Sequence, residues 1–316
     1  EMIIFALCHE EVMHNARWDR ATFRHMLKEM NRAEELPDLL VFYITGVDNN
    51  SHEHGPHTQQ DYFREFVDPL FPRFFEALER RRPLEDYYFV ITSDHGQAAT
   101  TRDMNYVITN EILSEILAEV PGGGYRLFNR KQVLPEDTAV ICTEAGTAQV
   151  HLMDRQKGGW THAPRFEEDL LPAAREFEKH RPGSGRGFVD VILVRREFGA
   201  PYEVFEAGEL IPAADYFASR EDEYPDAARR LEGINCSRSG DMIVLADYST
   251  GCYYGDKVKA GEHGNLHAAD SFIPLVITGP DVPEKTVPHA SLVDIVPTMG
   301  RLMGFETPTA EGESLL

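Results

Sequence analysis

Two short stretches set the strongest limit on what this chain can fold into. LLVFYITGVD at 39–48 and DYYFVITSDHG at 86–96 are each a run of apolar and β-branched residues that stops abruptly, the first at Gly46 and Asp48 with His52 soon after, the second at Asp94, His95 and Gly96. A continuous apolar run of this length, bounded by turn residues, has the pattern of a strand buried on both faces, as in a parallel sheet. Ligands of open α/β sheets bind beyond the carboxyl ends of the strands, where both runs place their acidic and imidazole groups. Helical spacing surrounds them. Phe23, Met26, Leu27 and Met30 share one face of an amphipathic segment over 16–34, which Pro37 ends. Residues 59–82 repeat that period through Phe63, Phe66, Val67, Leu70, Phe74 and Leu78, with Pro69 and Pro72 as local irregularities. A polar loop, NNSHEHGPH, is expected between the first strand and this second helix.

The expected fold class is therefore α/β, with a mostly parallel central sheet flanked by helices. The middle of the chain differs in texture. PGGG at 121–124 and GSGRG at 183–187 are set among strand-like pieces such as TAVICT, TAQVHLM and FVDVILVRR. Residues 99–235 are accordingly read as an inserted α+β cap, with 1–98 and 236–316 as the core. The core resumes with MIVLAD and the buried strand FIPLVITGP, and SLVDIVPTMGRLMG closes the chain as a helix ending at Gly304.

A length of 316 residues with 42% apolar composition can bury a sizeable core. The balance of 53 acidic against 31 basic residues, a formal charge of −22, gives no surface for a nucleic-acid backbone or an anionic membrane. No stretch reaches the roughly 18 consecutive apolar residues of a membrane span. The opening EMIIFALCHEEV is too short and too acidic at its flanks for a signal peptide, and Cys8, Cys142, Cys236 and Cys252 are too dispersed for a disulfide framework or a zinc ribbon. Reduced, cytoplasmic residence is the expectation.

Three clusters carry candidate chemistry. Asp48 and His52 can reach one cation from a single segment, and borderline metals such as zinc accept their mixture of O and N donors. His54 and His57 compete for that role, or are solvated. Asp94 and His95 are adjacent, and side chains that diverge at a strand end can serve ions about 4 Å apart in a two-metal site; a helix cap by Asp94 and simple packing by His95 are the plainer account. In GEHGNLHAADSFIPL, Gly264 and Asn265 argue against a helical pairing of His263 with His267, which leaves His263 as the ligand and His267 as a supporting or substrate-side residue. Lys257 and Lys259 read as solvated, and Asp241 and Asp294 as caps of a turn and of the last helix.

Together PDLLVFYITGVDNNSHEHGP, FVDPLFPRFFEAL, YFVITSDHG, RSGDMIVLAD, GEHGNLHAADSFIPLVITGP and SLVDIVPTMGRLMG resemble the alkaline phosphatase superfamily, and within it the type I phosphodiesterase/nucleotide pyrophosphatase branch. The resemblance implies a hydrolase of small phosphate mono- or diesters that uses two divalent ions, zinc or else manganese. One ion would take Asp48, His52 and His263. The other would take Asp94 and His95, with a further Asp and a Ser or Thr nucleophile from a strand near the start of the domain. No matching strand and nucleophile turn precedes residue 48. Thr22 in WDRATF belongs to a surface helix, so the nucleophile is expected upstream of this chain, and the activity expected of the enzyme is not assigned to this chain by itself. Sulfatases, phosphonate hydrolases and phosphomutases of the same superfamily share much of this pattern, and a non-catalytic fragment whose histidines only satisfy the core is the alternative from another class.

Overall fold

A large apolar cluster among the described residues runs from Ile108 to Tyr254, and the strands it packs on alternate in direction. The computed structural model describes residues 11–128, 134–181, 183 and 185–316. Two units emerge from the pattern of contacts: the first comprises residues 11–15, Thr45–Tyr62 and Gly96–Phe272, the second Ala16–Ile44, Phe63–His95 and Ile273–Leu316.

The first unit is built on a six-stranded sheet. In spatial order its strands are Ala139–Glu144, Thr147–Leu152, Met242–Ala246, Val189–Val194, Glu203–Glu206 and Glu209–Pro212. Every neighbouring pair is antiparallel. One face packs Ala148, Val150, Val194 and Val244 against Leu113, Ile116 and Leu117 of the helix Asn110–Ala118 and Ala174 and Phe177 of the helix Leu171–Lys179. The other packs Val191, Leu193, Ile243 and Leu245 against Phe217 and Leu231 from the helices Ala213–Ala218 and Ala227–Ile234. This is an α/β arrangement, but the mostly parallel sheet expected from the apolar runs is not what the ladders show. Among the described residues the parallel pairings are Tyr253–Tyr254 with Val107–Ile108 and one isolated bridge, Leu127 to Ala139. The reason is physical. MIVLA is apolar at every position because helices cover both sheet faces, whatever the strand direction. Direction is set by connections: Glu144 pairs with Thr147 and Glu206 with Glu209 across two-residue turns, which only antiparallel neighbours can use. Strand Met242–Ala246, read as resumed core, lies between two strands of the 99–235 segment.

In the second unit, Phe89–Thr92 pairs antiparallel with Leu275–Thr278, so both of those expected strands form, in opposite directions. The expected strand at 39–48 does not. Residues 38–45 form no helix or strand, and Leu39, Val41 and Tyr43 are 54%, 80% and 55% exposed. A strand needs a hydrogen-bonded neighbour, and the two strands of this unit pair with each other. Met30 of the long helix Glu11–Arg32 packs with Ala77 and Leu78, and Arg81 ties the two segments by donating to the carbonyls of Met30, Ala33 and Glu34. The helix expected over 59–82 is broken: a wide five-residue turn at Phe63–Val67 and a tight one at Asp68–Leu70 precede Phe71–Glu79, with Pro69 and Pro72 at the interruptions. The last helix, Ile295–Met303, ends at Gly304 in the left-handed region as expected, and Asp294 accepts from the Ser291 N–H in a capping box before it. No helix among the described residues is long and apolar enough to cross a membrane.

The Glu206–Glu209 turn carries local strain. Its central residues, Ala207 and Gly208, both have positive φ, 51° and 87°, the signature of the mirror-image turn that suits a twisted hairpin. Glycine adopts it freely and alanine does not. Ala207→Asn should therefore stabilise the protein by about 1 kcal/mol, read as a raised midpoint in urea unfolding, because asparagine tolerates this region far better than other side chains.

Candidate metal centre

Gly46–Asp48, expected as the end of a strand, and NNSHEH, expected within a polar loop, together form a helix, Gly46–His54. The change matters because residues four apart on a helix lie on one face. Asp48 in the first turn and His52 one turn later meet, with Asp48 Oδ1 at 3.3 Å from His52 Nε2. Gly55, at φ 98°, ends the helix and returns its N–H to the Ser51 carbonyl at 2.8 Å.

The second contribution comes from more than two hundred residues away. Gly261–Glu262 is a short strand paired antiparallel with Ala98–Ala99. It lies so close to the Asp48 helix that a Cβ on Gly261 would stand 2.8 Å from the Ser51 carbonyl oxygen. Two bonds lock the segments: the Ala260 N–H donates to the His52 carbonyl at 2.8 Å, and His52 Nδ1 meets the Gly261 carbonyl at 2.8 Å. A carbonyl can only accept, so Nδ1 carries the proton, and Nε2 is left with its lone pair toward Asp48. Directly after the strand comes His263, whose Nε2 is 3.7 Å from the same Asp48 oxygen and whose ring centroid is 5.1 Å from that of His52.

Asp48, His52 and His263 are thus brought together, and the Gln97 amide also reaches Asp48 Oδ1 at 3.4 Å. Glu262, which the sequence did not single out, is buried with Oε2 at 3.3 Å from His52 Nδ1. Its other oxygen is ion-paired with Lys259, whose Nζ is itself 3.5 Å from His52 Nδ1. Lys259 is therefore not the solvated side chain its surroundings suggested. An ammonium on Glu262 opposes a second cation at that carboxylate, which makes Glu262 a support for His52. The only signal for it was adjacency to His263 in GEHG.

Burial alone would lower the basicity of His52, but the Asp48 hydrogen bond, the Gly261 carbonyl and the charges of Asp48 and Glu262 outweigh it, so its pKa stands above the ordinary value. A base held by acceptors on both ring nitrogens favours a cation there, whether proton or metal. Where the folded pKa exceeds the unfolded one, the stabilisation is complete below the unfolded pKa and is lost as pH rises through the folded value. In metal-free protein the His52 ring resonances should accordingly titrate above about 6.5, and His52→Gln should flatten the fall in stability across that window.

The turn after His263 is held from behind. The Asn265 amide donates to the carbonyls of Gly146 at 3.3 Å and Ala246 at 2.9 Å, and its N–H donates to Asp270 Oδ2 at 2.7 Å. Gly146 N–H returns a bond to the His263 carbonyl at 3.2 Å, and Thr147 Oγ1 donates to the Gly264 carbonyl. A hairpin turn of the six-stranded sheet thereby fixes the backbone that carries His263. His267 does something else: its Nδ1 accepts from the Ala269 N–H at 3.2 Å, capping the short helix Ala268–Ser271, and its ring packs against Tyr224 and Tyr248. His54 Nε2 is 4.0 Å from Glu53 Oε2, away from this convergence.

In the second unit, Asp94 and His95 follow the strand Phe89–Thr92 and no helix begins after them, so Asp94 is not a helix cap. Their side chains approach at 3.6 Å, and the Tyr43 hydroxyl donates to Asp94 Oδ2 at 2.9 Å. Ser93 Oγ donates to the His95 carbonyl at 2.8 Å, bracing the corner. If this convergence holds a divalent ion, Asn265→Ala, which removes the support behind His263, should lower its affinity roughly tenfold to a hundredfold; calorimetric titration with zinc as the probe ion checks it.

The family model of the type I phosphodiesterase/nucleotide pyrophosphatases matches residues 8–270. A curated relative, ectonucleotide pyrophosphatase/phosphodiesterase 1 of Saccharomyces cerevisiae, is 30% identical over 96 residues, 28% of this chain and 13% of the yeast protein. Among solved structures, human ectonucleotide pyrophosphatase/phosphodiesterase 5 is similar in fold, with a TM-score of 0.53 at 15% identity over 92% of this chain and 61% of the human one. The murine counterpart gives 0.52 at 13% identity with the same coverage. The chain thus spans less than two thirds of the relatives it matches. With the family's pattern running through most of its length, the chain belongs to the type I phosphodiesterase/nucleotide pyrophosphatase family.

Proposed function

We propose that this chain carries part of the catalytic apparatus of a metal-dependent hydrolase of phosphate mono- or diesters. The observation that carries the reading is the convergence of His52 Nε2 and His263 Nε2 on one oxygen of Asp48, at 3.3 and 3.7 Å. Two imidazoles and one carboxylate suit a borderline divalent ion such as zinc, with manganese as an alternative, better than calcium, which prefers an all-oxygen shell. The donor set fits in a second respect: His52 already has the tautomer a ligand needs, imposed by a backbone carbonyl.

On this reading Asp48, His52 and His263 hold one ion, and Asp94 and His95 serve the other. When bound, such ions supply Lewis-acid stabilisation of charge on phosphoryl oxygens. The chain's own groups do the positioning. Gly261 fixes the His52 ring, the Lys259–Glu262 pair backs it, and Asn265 sets the His263 backbone. Thr22 is not assigned as nucleophile, because its hydroxyl donates to the carbonyls of Trp18 and Asp19 within a helix. Segment 99–235 reaches the His263 turn through Glu144–Thr147, where a Cβ on Gly264 would stand 2.8 Å from Glu144 Cγ, and this supports a part for it in substrate selection.

The test combines metal analysis with a substrate panel. Purified full-length protein should carry close to stoichiometric zinc or manganese and turn over p-nitrophenyl phosphate or its bis ester in preference to the sulfate analogue. A chelator should abolish turnover, and His263→Ala should lower metal affinity by roughly a hundredfold or more. Preference for the sulfate ester would favour the sulfatase branch of the superfamily. Protein with no metal and no turnover on any of these esters would sink the proposal in favour of a non-catalytic role.

A further inference from the structure

The opposite end of the six-stranded sheet holds a second feature. Met242–Ala246 runs from Asp241 to Ala246, whose carbonyl Asn265 grips beside the His263 turn. At a strand rise of about 3.3 Å per residue, Asp241 lies about 17 Å from that end. Around Asp241 is a cleft of about 220 Å³, whose walls include His151, Leu152, Trp160, His162, Phe198 and Ser237.

Asp241 is 3% exposed. Its Oδ2 accepts the Leu152 N–H at 3.0 Å, and among the described residues no donor is bound to the other oxygen. Burial raises its pKa to about 6, while the Leu152 N–H and the charge of Arg195 act the other way, so at neutral pH it is predominantly ionised. Arg195 does not discharge it by contact. That guanidinium donates to Asn235 Oδ1 at 2.9 Å and to the carbonyls of Cys236 and Ser239, and lies over the rings of Phe198 and Tyr202. Burial and Arg195 lower the basicity of His151, which therefore offers a neutral imidazole.

No lysine or arginine lines the cleft; the positive charge that Asp241 and His151 feel is that of Arg195, which donates to Asn235 and to the carbonyls of Cys236 and Ser239 and not to Asp241. A carboxylate oxygen that meets no protein donor is best satisfied by a cation or donor arriving from the cleft. The aromatic wall of Trp160 favours the same kind of ligand by its electron-rich face, whereas Phe198 already lies under the Arg195 guanidinium and contributes apolar surface. A primary ammonium has three N–H donors, and the Asp241 oxygen, an imidazole nitrogen and the Ser237 hydroxyl are acceptors for them. We propose that this cleft is a second binding site, separate from the candidate metal centre, for a small primary ammonium carried on an apolar or aromatic body.

Benzylammonium is a suitable probe, with benzyl alcohol and phenylacetate as neutral and anionic counterparts of the same shape. These 316 residues contain two tryptophans, so in this chain Trp18→Phe leaves Trp160 as the tryptophan reporter. Titrations use the 316-residue chain in chelator, which keeps the outcome independent of any metal bound at Asp48. Saturable quenching by benzylammonium is expected, with at least roughly tenfold weaker binding of the other two. Asp241→Asn, which can still accept the Leu152 N–H, should weaken benzylammonium by a similar factor. Trp160→Ala, at the exposed mouth, should weaken it as read by calorimetry, and serves as the variant if Asp241→Asn does not fold. Equal binding of benzyl alcohol, tighter binding of phenylacetate, unchanged affinity in the variants, or no saturation would each overturn the assignment.

Discussion

The hydrogen bond between His52 Nδ1 and the Gly261 carbonyl is the contact on which the candidate site depends. It joins the beginning and the end of the first unit, and it has an electronic consequence as well as a mechanical one. By engaging Nδ1 it determines which ring nitrogen presents a lone pair to Asp48. The close approach that makes the bond possible requires glycine, because a Cβ at 261 would collide with the Ser51 backbone. A small residue at one position thus controls the tautomer of an imidazole two hundred residues earlier.

The sheet contributes to the same site without lending it a ligand. Its hairpin turn at Glu144–Thr147 and the end of Met242–Ala246 provide the carbonyls that Asn265 grips, so the histidine beyond is mounted on the most deeply packed element of the unit. Rigid support of this kind is what a metal site needs, since ligands must be held near the productive geometry before the ion arrives. The far end of the sheet has the opposite character: a buried carboxylate beside open space and aromatic walls.

Much of this was legible in the residues. The period of the long helix, the strands Phe89–Thr92, Leu275–Thr278 and Met242–Ala246, and the terminal helix with its Gly304 end are all found where the patterns put them. Asp48, His52 and His263 also come together. Strand direction was not legible, because apolar content reports burial and is blind to polarity; the two-residue turns that enforce antiparallel pairing are visible only once partners are known. The strand expected at 39–48 failed for a related reason, since apolar character does not supply a neighbour to pair with. NNSHEH read as a loop because Asn and His are weak helix formers, yet the helix it shares with Gly46–Asp48 is held by contacts with Ala260 and Gly261 that outweigh local preference.

What the residues determined by themselves is the chemical inventory and its rough phasing: carboxylates and imidazoles at the ends of apolar runs, in a chain too acidic to hold an anion by bulk charge. Tertiary structure decided which of thirteen histidines converge, which tautomer His52 adopts, that Glu262 belongs with Lys259, and that His267 is a cap. The division has a plain cause. Donor type and local period are properties of neighbouring residues, whereas the orientation of a ring nitrogen depends on a carbonyl brought from the other end of the unit by packing that no local window contains.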